Sequence, residues 1–190
     1  METPQTRGSA ILASVTYVDA LCDGASRPHA SPGFSQELKE ALRDMKRTTW
    51  HPRGLWLEVL NAVVAVQSDT EKSYADLVGC GNAICEDAVN TFMKLILKIM
   101  TPRLFARKFP DFWTRDMRGG YMVVDGSEID RNKVSITLKE ADGWDHVGPV
   151  GCGFMGFAMQ RITGGPVRVV TDDWSLSRPA RPEVTWVISW

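Results

Sequence analysis

The sequence has 190 residues, a formal net charge of −1 at pH 7 and 24% charged residues. This length supports a sizeable core, and we expect residues 1–190 to form a single domain. The balance of acidic and basic residues argues against a protein that coats nucleic acid or an anionic membrane, so neither is predicted as a partner. Apolar runs stay below the ~20 residues that span a bilayer, so no membrane span is predicted.

The N-terminal region predicts a polar tail followed by an apolar segment. Residues 1–8 are expected to form a loose, flexible tail. The apolar residues 9–21 have a period that fits either a strand or a helix. Ser35 can then cap a helix over residues 36–45, whose apolar side chains form one stripe.

The next segments predict the central helix of the fold. Pro52 is predicted to occupy the first position of a helix, where proline is favoured. Asp69 or Thr70 can cap the longest periodic segment, residues 71–100, which as one helix would be ~40–45 Å long. We expect a bend near Gly79–Gly81, because glycines weaken a helix.

The C-terminal half changes from helical to alternating patterns. After a cap at Thr101, a short helix over residues 103–109 is predicted to end at Pro110. The predicted strands cover residues 121–124, 133–140, 166–172 and 183–190, and one helix covers residues 148–163. This order predicts an α+β fold in which N-terminal helices, including the long central one, pack on an antiparallel sheet of order β-β-α-β-β.

A glycine-rich motif lies at the start of the last predicted helix. Residues 151–156 read GCGFMG and match the G-x-G-x-x-G pattern of dinucleotide sites. Asp172 and Asp173 lie about 20 residues further on, where such sites place an acid. That pattern requires a strand running directly into its first glycine, and Pro149 and its neighbours interrupt any such strand. We therefore interpret the glycines as a surface for close backbone packing and predict no cofactor.

The chain has four cysteines, and no two of them have C-x-x-C spacing. They are Cys22, Cys80, Cys85 and Cys152. This spacing gives no support to zinc-ribbon or thioredoxin-like sites, and no metal site is predicted. Glu2 and Pro4 precede no apolar region of the signal-peptide type, so reduced, mostly buried thiols and a cytoplasmic location are expected.

One pair of residues is a candidate for nucleophilic catalysis. His146 and Cys152 are six residues apart, and a cysteine beside a histidine can act as a nucleophile. Spatial contact, not spacing, decides whether such a pair forms, and the alternative is a histidine in a loop or helix cap. The sequence contains neither G-x-S-x-G nor H-E-x-x-H.

Residues 101–120 interleave five basic with four aromatic residues. Such a pattern can bind single-stranded nucleic acid. Because the rest of the chain is not basic, we favour an amphipathic helix whose aromatic residues pack and whose charges are solvated. A small anionic ligand or an acidic surface of a partner is the remaining alternative.

Large, soft side chains are abundant, with seven tryptophans and eight methionines. They can fill a core or line an apolar cavity. We predict a cavity between the long helix and the sheet. Its predicted ligand-binding residues are Cys80, Ile84, Trp113, Trp144 and Cys152.

The order of these segments resembles known families. Helical residues 36–100 lead into TPRLFARKFPDFWTRDMRGG, a strand pair, GPVGCGFMGFAMQRITGGPVRVV and a final strand that ends in tryptophan. This arrangement resembles a myxobacterial-type paralogous family of uncharacterised proteins. It is also similar to four-vinyl-reductase-like domains and to the TRAPP-like fold of nitric-oxide signalling and Golgi transport. The resemblance implies long helices on an antiparallel sheet, frequent dimers, a small hydrophobic ligand and a regulatory output.

The sequence departs from these families at two places. Four-vinyl-reductase-like domains often carry a pair of cysteines around the last hairpin, and residues 169–190 contain none. The related haem sensors of nitric oxide use a Tyr-x-Ser-x-Arg motif and a histidine on a helix. No tyrosine of this chain begins that motif, and residues 71–100 contain no histidine. Haem is therefore not predicted.

Three functions remain open from the sequence. The first is a non-enzymatic sensory or regulatory domain that binds a small hydrophobic molecule, in a chain expected to form a homodimer. The second is a dimeric scaffolding or interaction module without a ligand. The third is a cysteine-dependent enzyme that uses His146 and Cys152.

Overall fold

Helices and two antiparallel sheets alternate along the chain. The computed structural model describes residues 4–24, 33–67, 69–89, 97, 99–171, 174 and 182–190. The helices are α1 (Gly8–Gly24), α2 (Gln36–Asp44), α3 (Arg53–Ala65), α4 (Thr70–Ala88), α5 (Pro102–Asp116) and α6 (Val147–Thr163). The strands are β1 (Gln5–Arg7), β2 (Trp50–Pro52), β3 (Met117–Arg118), β4 (Tyr121–Asp125), β5 (Lys133–Lys139), β6 (Arg168–Thr171) and β7 (Glu183–Ser189). The α+β prediction is confirmed.

The larger sheet has the strand order β4-β5-β7-β6, and all of its neighbouring strands are antiparallel. In β5, buried Val134, Ile136 and Leu138 alternate with half-buried residues, as their period of two predicts. Ile136 lies opposite Val124 of β4 and Trp186 of β7, so one register continues across three strands. The predicted β-β-α-β-β order and its antiparallel pairing are confirmed.

Helix α6 packs between this sheet and α4. Its first turn is joined to the sheet by Trp186, whose Nε1 donates a hydrogen bond of 2.7 Å to the carbonyl oxygen of Gly148. On its other side, a β-carbon on Gly153 would overlap the carbonyl oxygen of Val78 in α4. The predicted close approach of another backbone is confirmed at Gly153, whereas Gly151 faces the Trp186 side chain and a β-carbon on Gly156 would make only ordinary contact with Val169. The two acids that follow the motif, residues 172 and 173, lie outside the described residues.

Helix α4 covers the first three fifths of the predicted long helix. It runs without interruption through Gly79 and Gly81, and both glycines lie where another chain segment approaches. A β-carbon on Gly79 would overlap the Tyr17 hydroxyl, and one on Gly81 would overlap the Val150 carbonyl oxygen. Close packing explains why glycine stands at these two positions, and the predicted bend stays a prediction. Residues 90–96 of the predicted helix lie outside the described residues.

A small second sheet, β2-β1-β3, corrects the prediction of a loose tail over residues 1–8. Residues 5–7 form its central strand, and Thr6 is fully buried between His51 on one side and Met117 on the other. Three residues are too few to display an alternating pattern, so this strand has no signature in the sequence. The apolar segment 9–21, ambiguous in the sequence, belongs to α1.

Local capping signals place most helix starts correctly. Ser35 Oγ accepts from Leu38 N, Asp69 Oδ1 from Glu71 N, and Thr101 Oγ1 from Leu104 N, over 2.9–3.2 Å. Pro52 is an exception, because it ends β2 and caps α3 instead of opening it. Among the described residues, no helix is long and apolar enough to cross a membrane.

Helix α5 corrects a second prediction, that Pro110 ends the helix. The helix continues to Asp116 with Pro110 inside it. A proline in a helix interior costs ~3 kcal/mol, because it removes a hydrogen bond and crowds the preceding turn. Burial of Trp113 and of the Phe105–Phe109 ring pair, whose centroids are 5.5 Å apart, offsets this cost.

Candidate functional site

A cavity of about 260 Å³ lies among α1, α4, α5, α6 and the larger sheet. Its volume is close to the lower end of the ~300–1,000 Å³ typical of small-molecule sites. The lining residues are Arg7, Ser9, Ala10, Arg47, Thr48, Trp56, Ile84, Asp87, Ala88, Phe109, Phe112, Trp113, Arg115, Asp116, Met117, Met122, Val147, Val150, Gly151, Phe154, Met155 and Trp186. The lining includes residues of α4 and of the larger sheet, together with residues of α6, which lies between them.

One face of α6 supplies much of the apolar wall. Val147, Val150, Gly151, Phe154 and Met155 all line the cavity at spacings of three and four residues, which places them on the same side of a helix. Gly151 has a specific role in this wall, because a β-carbon there would lie 2.6 Å from the indole of Trp186. The missing side chain lets this indole reach the cavity.

Charged residues lie along another part of the lining, and most of them are paired. Arg47 forms an ion pair with Asp87, which joins the turn before β2 to α4. Arg115 donates from Nε and Nη2 to Asp116 Oδ2, over 3.0 and 2.5 Å. These two pairs balance four of the five charges at the cavity.

Arg7 is the fifth charged residue of the lining. Its guanidinium carbon lies 5.2 Å from the ring centroid of Trp50, directly across the β1–β2 pair. The guanidinium carbon of Arg118 also lies over the Trp50 ring, 4.1 Å from its centroid. The Arg7 Nε is buried and has no hydrogen-bond partner within the part of the chain that the structure describes.

Trp113 brings a second buried donor to the same cavity. Its Nε1 has no hydrogen-bond partner among the described residues. Its ring packs at 5.0 Å from that of Trp144, which in turn lies 6.0 Å from Trp56. By contrast, Trp56 Nε1 donates a hydrogen bond to Ser14 Oγ over 3.0 Å. The Trp56 indole therefore has an acceptor, whereas the Trp113 indole has none among the described residues.

The five predicted ligand-binding residues divide into two groups. Ile84 and Trp113 line the cavity, whereas Cys80, Trp144 and Cys152 lie in the buried core outside its lining. A contact between any of the five and a ligand stays a prediction. The sequence analysis missed Arg7 because it was assigned to the tail, and only the pairing of β1 brings it to the cavity.

Burial raises the pKa values of the core thiols. Burial raises the pKa of Cys80 to about 12, and a hydrogen bond with Ser14 opposes this effect. Burial likewise raises the pKa of Cys152 to about 11, although the Tyr74 hydroxyl donates to its sulfur over 3.5 Å. Since the thiolate is the nucleophile, these side chains are poorly suited to covalent catalysis.

His146 has other partners than Cys152. It occupies the N-cap position of α6 with a positive φ of 65° and makes no side-chain capping hydrogen bond there. Its Nε2 is 2.9 Å from Asn61 Oδ1. Its ring lies 6.1 Å from that of Trp174. Burial lowers the pKa of His146, and the nearby Asp145 opposes this effect. These contacts agree with the helix-cap alternative for this histidine.

Comparison with known proteins identifies the fold. No family model and no curated protein matches this chain. Solved structures do: an H-NOX protein from S. oneidensis in the Fe(II)NO ligation state has a TM-score of 0.66 at 10% identity, covering 96% of this chain and 98% of its own. The Fe(II) unliganded H-NOX protein from K. algicida and an alanine-to-glycine mutant of it both have TM-scores of 0.64, at 10% and 12% identity, with coverage of 96% of this chain and 95% of theirs.

This likeness shows that the chain has the fold of these H-NOX proteins. Within the resemblance drawn from the sequence, it supports the fold of the nitric-oxide-signalling proteins. Membership of the myxobacterial-type family and similarity to four-vinyl-reductase-like or TRAPP-like proteins stay predictions. At 10–12% identity, the likeness concerns the fold alone.

The fold raises the question of haem, and the described side chains do not fit a histidine-ligated one. Such a haem needs an imidazole at the iron. Of the three histidines, His51 and His146 do not line the cavity, and His29 lies outside the described residues. No group of three or more His, Cys, Asp or Glu among the described residues could hold a metal ion. We therefore assign no haem-dependent step to this cavity.

Proposed function

We propose that this chain is a non-enzymatic sensory or regulatory domain that binds a small, largely apolar molecule in the cavity between α4 and the larger sheet. One observation carries the proposal: a pocket of about 260 Å³, partly open to solvent, reaches from exposed residues such as Arg47 to the buried rings of Trp56 and Trp186. A pocket with an apolar wall is a candidate ligand site.

The chemistry of the walls suits an aromatic ligand. Trp56 and Trp186 are 1% and 0% exposed, and both line the cavity together with Ile84 and Met155. Indole rings and a thioether give polarizable surfaces on which a flat ring can pack. The S. oneidensis H-NOX protein was solved in the Fe(II)NO ligation state, so a protein with the same fold holds a small ligand.

The absence of activated nucleophiles among the described core thiols supports a binding role over catalysis. Cys85 has its pKa raised by burial to about 12, as has Cys80. His146 is hydrogen-bonded to Asn61, and Cys152 accepts a hydrogen bond from Tyr74. Each residue of the candidate catalytic pair therefore contacts a different partner. The proposal therefore assigns no reaction to the domain.

Naphthalene, a neutral aromatic probe, tests this function directly. We expect it to bind at a single site and to shift the indole ¹H–¹⁵N resonances of Trp113, Trp56 and Trp186 in an NMR titration. Ile84→Phe fills the cavity and should weaken binding by about tenfold or more. Ile99→Phe makes the same change at a side chain that is 83% exposed and should leave binding unchanged. Absence of any naphthalene binding would refute the proposed function.

A second function, a dimeric interaction module, is favoured by one surface observation. Tyr121 and Val123 are 52% and 45% exposed on the edge strand β4. Exposed apolar residues on an unpaired strand edge are suited to association with another copy. Size-exclusion chromatography over a hundredfold range of concentration tests this function, and a strict monomer throughout would exclude it.

A further inference from the structure

We propose that the ion pair between Arg47 and Asp87 gates the mouth of the cavity, which is the end that solvent reaches, and sets the rate at which a ligand enters and leaves. This inference rests on the proposed function and adds the regulation of the same site. Both side chains line the cavity, and they are 49% and 31% exposed. Trp56 and Trp186, which also line it, are 1% and 0% exposed. The ion pair therefore lies at the mouth and the two indoles at the buried end.

The ion pair joins two segments of the lining that come from distant parts of the chain. Arg47 belongs to the turn before β2, and Asp87 belongs to the last turn of α4. The residue that follows each partner in the sequence also lines the cavity. By contrast, Arg115 and Asp116 are neighbours at the end of α5, so their ion pair joins no separate segments. Within the described lining, the gate is the ion pair that connects two walls of the cavity.

The backbone of the turn that carries Arg47 is held in place by α1. Ser9 N donates a hydrogen bond of 3.0 Å to the Arg47 carbonyl oxygen, and Gly8 N donates one of 2.9 Å to the Thr49 carbonyl oxygen. Both donors belong to the first turn of α1, where amide groups have no acceptor within the helix. The movable part of the gate is therefore the Arg47 side chain, which can leave its partner while the turn stays in place.

The gate is weak enough to open without unfolding. Within the described part of the chain, the Arg47 side chain donates its hydrogen bond to Asp87 Oδ2. Ion pairs between partly exposed side chains contribute little to stability, because water and salt screen the attraction and a long side chain loses rotamer freedom. An apolar ligand offers neither group a replacement for its partner. Such a ligand therefore passes when the ion pair opens by itself.

A gate of this kind has a kinetic signature. An ion pair that closes over the empty and the occupied cavity alike slows entry and exit by the same factor, so the affinity changes less than either rate. A residue that merely contacts the ligand would instead change the dissociation rate and the affinity together. Rates and affinity measured on the same variants separate the two roles.

The exchange of naphthalene tests the gate. Line shapes of the indole ¹H–¹⁵N signals during the titration give the dissociation rate, and the affinity then gives the association rate. Arg47→Gln and Asp87→Asn should each raise both rates by about two- to fivefold, the factor that an exposed ion pair of ordinary strength provides. The double variant should match the single ones, because the same ion pair is broken in all three.

Two results would overturn the gate and leave the proposed function intact. One is exchange at the wild-type rates in both single variants. The other is faster dissociation with an equal loss of affinity, which would show that the side chains contact the ligand. A wild-type chain that does not bind naphthalene would instead refute the proposed function.

Arg103→Gln is the matched control. This change breaks the ion pair with Asp130, whose two side chains are 58% and 84% exposed and lie outside the lining. The variant should exchange naphthalene at the wild-type rates. Faster exchange here as well would show a general effect of surface charge and would overturn the role given to Arg47.

Salt tests the gate in the wild-type chain even if the variants do not fold. Raising the ionic strength from about 0.05 M to about 0.5 M screens exposed charges, so naphthalene should dissociate faster. The dissociation rate is the appropriate quantity, because salt changes the activity of free naphthalene and thereby its association. Arg47→Gln should lose this salt dependence. A wild-type dissociation rate that does not depend on salt would overturn the gate.

Discussion

Gly153 of α6 and Val78 of α4 bring two helix backbones into direct contact. A β-carbon on Gly153 would overlap the Val78 carbonyl oxygen and would lie 2.9 Å from Asn82 N. Gly81 makes the reciprocal approach from α4 toward the Val150 carbonyl oxygen. Because backbone atoms cannot rotate away as side chains do, the spacing of these helices, and with it the cavity beside them, depends on both glycines.

Replacing Gly153 by alanine should destabilise the fold. The added methyl group can be accommodated only by moving α6 away from α4, and overpacking of this kind costs ~1–3 kcal/mol in the free energy of unfolding. Urea denaturation followed by circular dichroism measures this cost. The intrinsic helix propensity of alanine works in the opposite direction, so a net loss isolates the packing effect.

Gly156→Ala provides the control on the same helix. A β-carbon there would meet Val169 Cγ2 at 3.7 Å, which is ordinary van der Waals contact. This variant should be unchanged or more stable by up to ~1 kcal/mol, since alanine is the better helix former. Equal stability changes in the two variants would contradict the role given to Gly153.

The four thiols should differ sharply in reactivity. Cys22 is half-buried, whereas Cys80, Cys85 and Cys152 are buried. Titration with a disulfide reagent at pH 8 should therefore show one thiol that reacts in the native protein and three that react only after unfolding. Cys22→Ser should abolish the fast phase and Cys152→Ser should leave it. The reverse result would revive a reactive role for Cys152.

Stability should fall as the pH is lowered from neutral. Burial holds the pKa of His146 below its usual value, and His51 is affected in the same direction. Below the unfolded-state pKa of ~6.5, the unfolded chain therefore binds more protons than the folded one, and the stability that is fully present above this value is lost. Asp145 reduces the effect at His146 without reversing it.

Urea midpoints between pH 7.5 and pH 5 measure this dependence. His146→Asn removes the titrating ring, and asparagine tolerates the positive φ at this position. The variant should lose part of the pH dependence, and the remainder should disappear in a double variant with His51→Asn. A wild-type slope in His146→Asn would show that other groups control the pH response.

Trp186→Phe should destabilise the chain and enlarge the cavity. The change removes the buried hydrogen bond from Nε1 to the Gly148 carbonyl oxygen and part of the ring that faces Gly151. We expect a loss of ~1–3 kcal/mol in the free energy of unfolding. Trp190→Phe, at a half-buried position, should cost clearly less. Similar losses in both would argue against a special role for Trp186.

Features that depend on neighbouring residues could be predicted from the sequence. Helix caps at Ser35, Asp69 and Thr101 act over two or three residues, and they are where the sequence analysis placed them. The alternation in β5 and the stop at Gly164 are equally local. Pro110 shows the limit of such signals, because packing of distant side chains overrides its tendency to end a helix.

The role of the GCGFMG motif could be predicted only in part from the sequence. Its context already excluded a dinucleotide loop and indicated close packing, but it named no partner. The tertiary structure supplies the partners, which are Val78 for Gly153 and Trp186 for Gly151.

The candidate site depended on tertiary structure almost entirely. Ile84 and Trp113 could be proposed from helical spacing, because both belong to predicted helical or aromatic-rich segments. Arg7 could not, since it reaches the cavity only through the pairing of β1 with two strands that lie far along the chain. No short window of sequence contains that pairing.

The physical reason for this division is the range over which each interaction acts. Helix caps, hydrogen bonds between residues i and i−4 and the period-two alternation of strands are all written in short windows of sequence. A cavity arises only where segments far apart in the chain meet. The sequence therefore determined the elements and their order, and the tertiary structure decided that Arg7 and Trp113 share one cavity.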